Sequence, residues 1–161
     1  MILYLVRHGD PETEGRTDEE RVLSKKGIAV TRAMAHLLKH ARFDPPEIIV
    51  TSPFVRAKQT ARILLEAFAP EARLEVRDGL RPSFEIERPM SIIASKSEGC
   101  NSLMLVGHNP LISVLASVLV SGSDSPAIEM TKSAVAIYEL TRFDVPGMRG
   151  MLRAYLPPAI V

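Results

Sequence analysis

With 161 residues, 46% of them hydrophobic and 24% charged, the chain has the length and composition of one ordinary folded domain, expected to span 1–161, and neither disorder nor low complexity fits. A formal net charge of +1 gives no electrostatic case for nucleic acid or a membrane surface, so any cationic site must be built locally. Cys100 is the sole cysteine, which excludes an intrachain disulfide and fits a reducing compartment.

Residues 2–6 form an apolar run that stops abruptly at Arg7, His8 and Gly9. This reads as a buried strand that delivers an arginine and a histidine to its C-terminal end, where ligands bind in open α/β sheets. The run is too short for a signal peptide and has no basic residue ahead of it, so a cytoplasmic location is expected. Residues 10–22 are polar and acidic without an apolar period, and read as a loop across the mouth of the sheet. Ser24 fits a helix N-cap; Val30, Ala33, Met34, Leu37, Leu38 and Ala41 give the helix one apolar face, and Pro45-Pro46 stops it. Residues 47–51 form a second strand. Ser52 and Pro53 follow as N-cap and first helical residue of a helix running to about Phe68, with Val55, Gln59, Ile63 and Ala67 in one row and Leu64 beside it.

Residues 74–76 predict a short strand in an edge position, 78–89 are irregular, and 90–97 predict a short helix. Residues 102–106 read as another buried strand. Asn109 then serves as N-cap and Pro110 as first helical residue of a helix that is apolar on nearly every side, hence central, and far shorter than the ~20 residues that span a bilayer. Residues 133–140 and 150–156 read as late strands, joined by a turn on Asp144, Pro146 and Gly147 into a hairpin. Alternating strands and helices predict a three-layer α/β sandwich whose central sheet is mostly parallel, the hairpin adding an antiparallel part.

Three strand-to-helix junctions share a design: Arg7-His8-Gly9, then Thr51-Ser52-Pro53 with Arg56 in the first helical turn, then Gly107-His108-Asn109. If the three strands are parallel neighbours, Arg7, His8, Arg56 and His108 converge on one edge. Two guanidiniums, two imidazoles and the N–H groups of helix N-termini make an anion site. Gly9 and Gly107 are expected to let a ligand approach the backbone. A metal site is the other use for two histidines, but flanking arginines repel a divalent cation and no carboxylate accompanies both. Phosphoryl transfer fits better: one imidazole attacks phosphorus and the remaining cations stabilise charge on the equatorial oxygens.

Leu5-Val6-Arg7-His8-Gly9, the run from Ser52 to Ala61 that contains Arg56, and Val106-Gly107-His108-Asn109-Pro110 resemble, in order, the three motifs of the histidine phosphatase (phosphoglycerate mutase-like) superfamily. The small size, the Arg-His-Gly-Asp start, the run from Arg21 to Gly27 and the run from Thr131 to Val135 are closest to its SixA-type branch, the protein phosphohistidine phosphatases. The resemblance implies a phosphoglycerate mutase-like fold, minimal and without a cap insertion. It implies His8 as nucleophile, with Arg7, Arg56 and His108 binding the phosphoryl group and Arg21 at the pocket rim. It implies no cofactor and no metal. The expected partner is a phosphorylated protein of the histidine-phosphotransfer type or a small phosphorylated substrate, not nucleic acid or membrane.

Other branches carry a carboxylic acid in the loop after the third strand, where this chain has Arg81 or Pro82. Glu85 and Glu87 are displaced from that place, so Glu85 and Asp10 are the candidate acids. A phosphoramidate leaving group needs less help than an alkoxide, which favours phosphohistidine over a small phosphomonoester. A non-catalytic phosphate-binding module would need only the arginines.

His36 and His40 lie one turn apart but off the apolar row and without a third ligand, so they read as a solvated helix face. Glu12, Glu14, Asp18, Glu19 and Glu20 read as an acidic loop serving solubility, with recognition of a basic protein surface as the alternative. Cys100 reads as an inert thiol and Met104 as core.

Overall fold

In the computed structural model, which describes residues 1–13, 17–123, 127–143 and 147–160, the elements run β1 (Ile2–Arg7), α1 (Lys25–His40), β2 (Ile48–Thr51), α2 (Val55–Ala67), β3 (Arg73–Val76), α3 (Glu87–Ser97), β4 (Ser102–Gly107), α4 (Leu111–Ser121), β5 (Val135–Arg142) and β6 (Arg149–Leu156). Among the described residues the strands form one sheet in the order β3-β2-β4-β1-β5-β6. β3, β2, β4 and β1 are parallel; β5 and β6 pair antiparallel at the far edge. This is the expected mostly parallel α/β sandwich with a late hairpin, and β3 takes its edge position. Of the expected hairpin turn, Asp144 and Pro146 lie outside the described residues, as does Glu14 of the acidic loop.

Strand alternation splits the core in two. Leu3 and Leu5 of β1 and Leu103 and Leu105 of β4 point to one face, where α3 and α4 add Ile93, Leu111, Leu115 and Leu119. Tyr4, Val6, Met104 and Val106 point to the other, against Met34 and Leu38 of α1 and Ala57, Ala61 and Leu64 of α2. Because both faces are covered, β1, β2 and β4 read as unbroken apolar runs. Cys100 is buried beneath this packing, its thiol donating to the Ser102 carbonyl at 3.0 Å, and burial pushes its pKa up. No helix of the described residues is long and apolar enough to cross a membrane.

Several local expectations are corrected. α1 starts at its Ser24 cap, whose Oγ accepts from the Gly27 N–H at 3.0 Å. It ends at His40, with Arg42 at φ 58°, several residues before Pro45-Pro46. Its buried row is Gly27, Thr31, Met34, Ala35 and Leu38, because the Thr31 hydroxyl reaches that of Ser133 at 3.2 Å, so Val30 and Ala33 fall to the flank. α2 starts at Val55 after Phe54, not at Pro53, and buries Ala57, Thr60, Ala61 and Leu64 rather than the row through Val55 and Gln59. α3 starts three positions before Met90, at Glu87, and α4 starts at Leu111, with Pro110 at the cap and Asn109 outside it.

α1 presses directly on the loop leaving β1. A Cβ added to Gly27 would lie 2.1 Å from the Asp10 carbonyl oxygen, and one on Gly9 would lie 2.7 Å from Thr31 Oγ1. Gly27→Ala is therefore expected to destabilise the protein by about 1–3 kcal/mol in urea unfolding, because backbone rather than a flexible side chain must yield.

Candidate active site

β1, β2 and β4 end level. Arg7 pairs in register with Gly107, the His8 N–H donates to the Gly107 carbonyl at 3.0 Å, and the Ser52 N–H donates to the Val106 carbonyl at 3.0 Å. The three junctions therefore open on one point, with β4 in the middle, and the convergence expected of Arg7, His8, Arg56 and His108 is present. The His8 and His108 rings lie 4.8 Å apart between centroids. All four side chains leave solvent partly or wholly: His8, Arg56 and His108 are buried, and Arg7 is half-buried.

His8 Nδ1 sits 2.6 Å from the Gly9 carbonyl oxygen, which can only accept. Nδ1 therefore carries the proton and Nε2 keeps its lone pair, which accepts from Arg56 Nε at 3.2 Å. Burial, then Arg56, Arg7 and Lys132, push the His8 pKa down to about 4 against the opposing pull of the Gly9 carbonyl. His108 Nε2 lies 2.8 Å from Ser52 Oγ. Burial, His8 and the two arginines push its pKa down to about 2. Two neutral imidazoles thus stand among cations. Arg7 Nη1 donates to the Met130 carbonyl at 2.9 Å, as does Asn109 Nδ2 at 3.0 Å. Among the described residues, Arg7 Nε and His108 Nδ1 are buried side-chain atoms without a hydrogen-bond partner, and such atoms are costly unless something fills the gap.

Arg56 is held on every edge. Besides Nε on His8, its Nη1 donates to the Asp18 carbonyl and its Nη2 to Asp18 Oδ2 at 3.0 Å. Its guanidinium lies 4.9 Å from the Phe54 ring centre, and that of Arg81 lies 5.4 Å from it. Phe54 also packs edge-on against His108, 4.8 Å between centroids. Thr60 steadies the backbone, accepting from the Gly9 N–H at 3.0 Å while donating to the Arg56 carbonyl at 2.8 Å.

Asp18, Ser52, Phe54 and Thr60 were not legible as site residues. Asp18 read as one of several loop carboxylates, and nothing in local spacing ties it to Arg56, 38 positions away. Arg21 lies at the rim, its Nη1 on Asp18 Oδ1 at 3.1 Å and its Nε on the Glu12 carbonyl at 2.7 Å. Asp10 pairs with Lys132 Nζ at 2.5 Å and accepts from Ser24 Oγ at 3.0 Å, and the Lys132 contact holds its carboxyl below the usual range. Glu85 is exposed and faces Arg88 at 3.7 Å. Helix packing already demands both glycines: a Cβ on Gly9 would meet Thr31 and the Gly27 carbonyl, and one on Gly107 would meet Ile112. His36 and His40 are exposed, with His40 Nδ1 at 2.8 Å from the His36 carbonyl. Among the described residues no group of three histidine, cysteine or carboxylate side chains could hold a metal ion. A groove of about 730 Å³, its wall formed by Phe84, Pro110, Val114 and Ile128 with Asn109, Ser113 and Glu129 among them, adjoins the site through Asn109.

Residues 3–84, with Arg7, His8 and Arg56 among them, match the histidine phosphatase superfamily (branch 1). The chain belongs to that superfamily. It is 30% identical over 137 residues to the phosphohistidine phosphatase SixA of Escherichia coli strain K12, covering 84% of this chain and 83% of that protein. It is 26% identical to a SixA homolog of Haemophilus influenzae, covering 74% and 77%. A solved structure of the protein histidine phosphatase SixA complexed with tungstate superposes with a TM-score of 0.87 at 28% identity, covering 99% of each chain.

The depressed imidazole pKa values make stability pH-dependent. Below about pH 6.5 the unfolded chain protonates His8 and His108 while the folded protein does not, so unfolding takes up protons and stability is lost as the pH is lowered. The His8 share is lost between about 6.5 and its folded value of about 4. In unfolding measured across that window, His8→Asn is expected to show a shallower decline than the parent protein.

Proposed function

We propose that the protein is a phosphohistidine phosphatase acting without a metal through a phosphorylated His8. The observation that carries this is the unprotonated Nε2 of His8, oriented by the Gly9 carbonyl and set among Arg7, Arg56 and His108. Nε2 attacks phosphorus; the new N–P bond forms as the bond to the leaving imidazole breaks, and that imidazole takes a proton from water or arrives protonated. Water then attacks the phosphorus, the bond to His8 breaks and inorganic phosphate leaves. Arg7, Arg56 and His108 bind the equatorial oxygens, Arg7 Nε and His108 Nδ1 gaining the partners they lack. Arg21 stands at the rim.

The leaving group follows from the carboxylates. Asp10 is occupied by Lys132 and Ser24, Glu85 faces Arg88, and the place where other branches carry an acid holds Arg81 or Pro82. Asp18 does lie against the clamp; burial works to raise its pKa, but Arg56 and Arg21 outweigh this and hold it ionised. None suits proton donation to an alkoxide, whereas a P–N bond needs little of it. The named activity of the SixA relatives supports the same substrate, and the tungstate bound in one of them supports an oxyanion seat. We place the activity in one cytoplasmic domain spanning 1–161, on a signalling protein of the histidine-phosphotransfer type. The largely apolar groove beside Asn109 suits a substrate presented on a protein surface.

With chelator present, kcat/KM for a phosphohistidine-bearing protein is expected to exceed that for a panel of phosphate esters. Preference for esters would redirect the reading to a small-molecule phosphomonoesterase, and loss of activity in chelator would overturn metal independence. His8→Ala is expected to abolish turnover and phosphoenzyme formation while its thermal melt stays cooperative. Arg56→Ala is expected to lower kcat by about 10²–10³-fold.

A further inference from the structure

The strongest unexplained feature outside the reacting groups is the segment Asp18–Glu20, a single 3₁₀ turn that buries none of its residues. Polar contacts tie it to the site. Asp18 takes both terminal nitrogens of Arg56, through its carbonyl and its carboxylate, and its other carboxylate oxygen takes Arg21 at 3.1 Å. Glu19 takes Arg81 with two bonds of 3.0 and 3.2 Å. The remaining Arg56 edge, Nε, rests on the lone pair of His8.

A phosphoryl group entering this site needs what is already in use. Its oxygens need the Arg56 terminal nitrogens, and its phosphorus needs the His8 lone pair. Asp18 holds both terminal nitrogens that a phosphate would take, its carboxylate on one and its backbone carbonyl on the other. We propose that Asp18 is an internal competitor for the phosphoryl seat, a specificity-determining carboxylate that anionic substrate displaces when it binds Arg56. This rests on the reading of Arg56 as part of the phosphate clamp. Only the fraction of molecules with Asp18 off Arg56 is binding-competent, so apparent affinity is reduced by that fraction. Glu19 acts at second hand, pinning the turn to Arg81 and so favouring the occupied state. A weakly bound anion gains little against this competitor, whereas a dianionic phosphoryl group that also reaches Arg7 and His108 wins.

The test is calorimetric titration of the full chain with inorganic phosphate at fixed pH and ionic strength, for the parent protein, Asp18→Asn, Glu19→Gln and Arg56→Ala. Asp18→Asn keeps the side-chain shape and removes the charge, and is expected to bind phosphate about three- to fivefold tighter, as befits a half-exposed ion pair. Glu19→Gln is expected to shift affinity the same way by less. In turnover, Asp18→Asn is expected to lower KM. If Arg56→Ala loses binding but Asp18→Asn binds no tighter than the parent, or loses kcat, the competitor is overturned and Asp18 merely positions Arg56. If Arg56→Ala binds phosphate as well as the parent, the clamp itself falls.

Discussion

Everything at the site depends on three parallel strands ending at the same height. Two backbone hydrogen bonds, from His8 to Gly107 and from Ser52 to Val106, hold the chain in register one residue past the last ladder pair. A slip of one residue would reverse the faces to which Arg7 and His8 point and exchange the apolar side chains of β1 between the two cores. The buried faces of β1 and β4 enforce the register, because Leu3 and Leu5 fit one helical layer and Tyr4 and Val6 the other. Packing energy spent in the core thus appears at the rim as the alignment of two imidazoles.

The electrostatics follow from that alignment. Four nitrogenous side chains brought together out of water cannot all be charged. Arginine keeps its proton, so the histidines give up theirs, and the Gly9 carbonyl decides which nitrogen of His8 stays bare. The same surplus of positive charge draws in Asp18 and Glu19, and so a turn that buries none of its own residues acquires a defined place beside Arg56 and Arg81.

Much of this is legible in the sequence, for identifiable reasons. β1, β2 and β4 are apolar on both faces, so their runs are unbroken and their ends abrupt, and Arg7, His8 and His108 stand out as the residues that end them. Arg56 is legible through its place one turn after the second strand. What escapes reading is set by distant partners. Thr31 and Thr60 are buried because Ser133, Gly9 and the Arg56 carbonyl receive them, which rotates the expected apolar rows of α1 and α2. Proline is a poor guide to helix starts here: Ser52 reaches His108 as well as the Phe54 N–H while the helix starts only at Val55, and Asn109 turns to Met130. Asp18 looks like any loop carboxylate until the fold brings α2 beside it.

The burial of Cys100 has a consequence for how such a catalyst ages. Its thiol is 5% exposed, donates to a backbone carbonyl and is harder to ionise than a free cysteine, so it offers peroxide little thiolate to attack. With nitrogen as the proposed attacking atom, the reacting centre contains no sulfur to oxidise. Oxidants that silence thiol-dependent phosphatases would leave this chemistry running, so its output would follow the supply of phosphorylated substrate rather than the redox state of its surroundings.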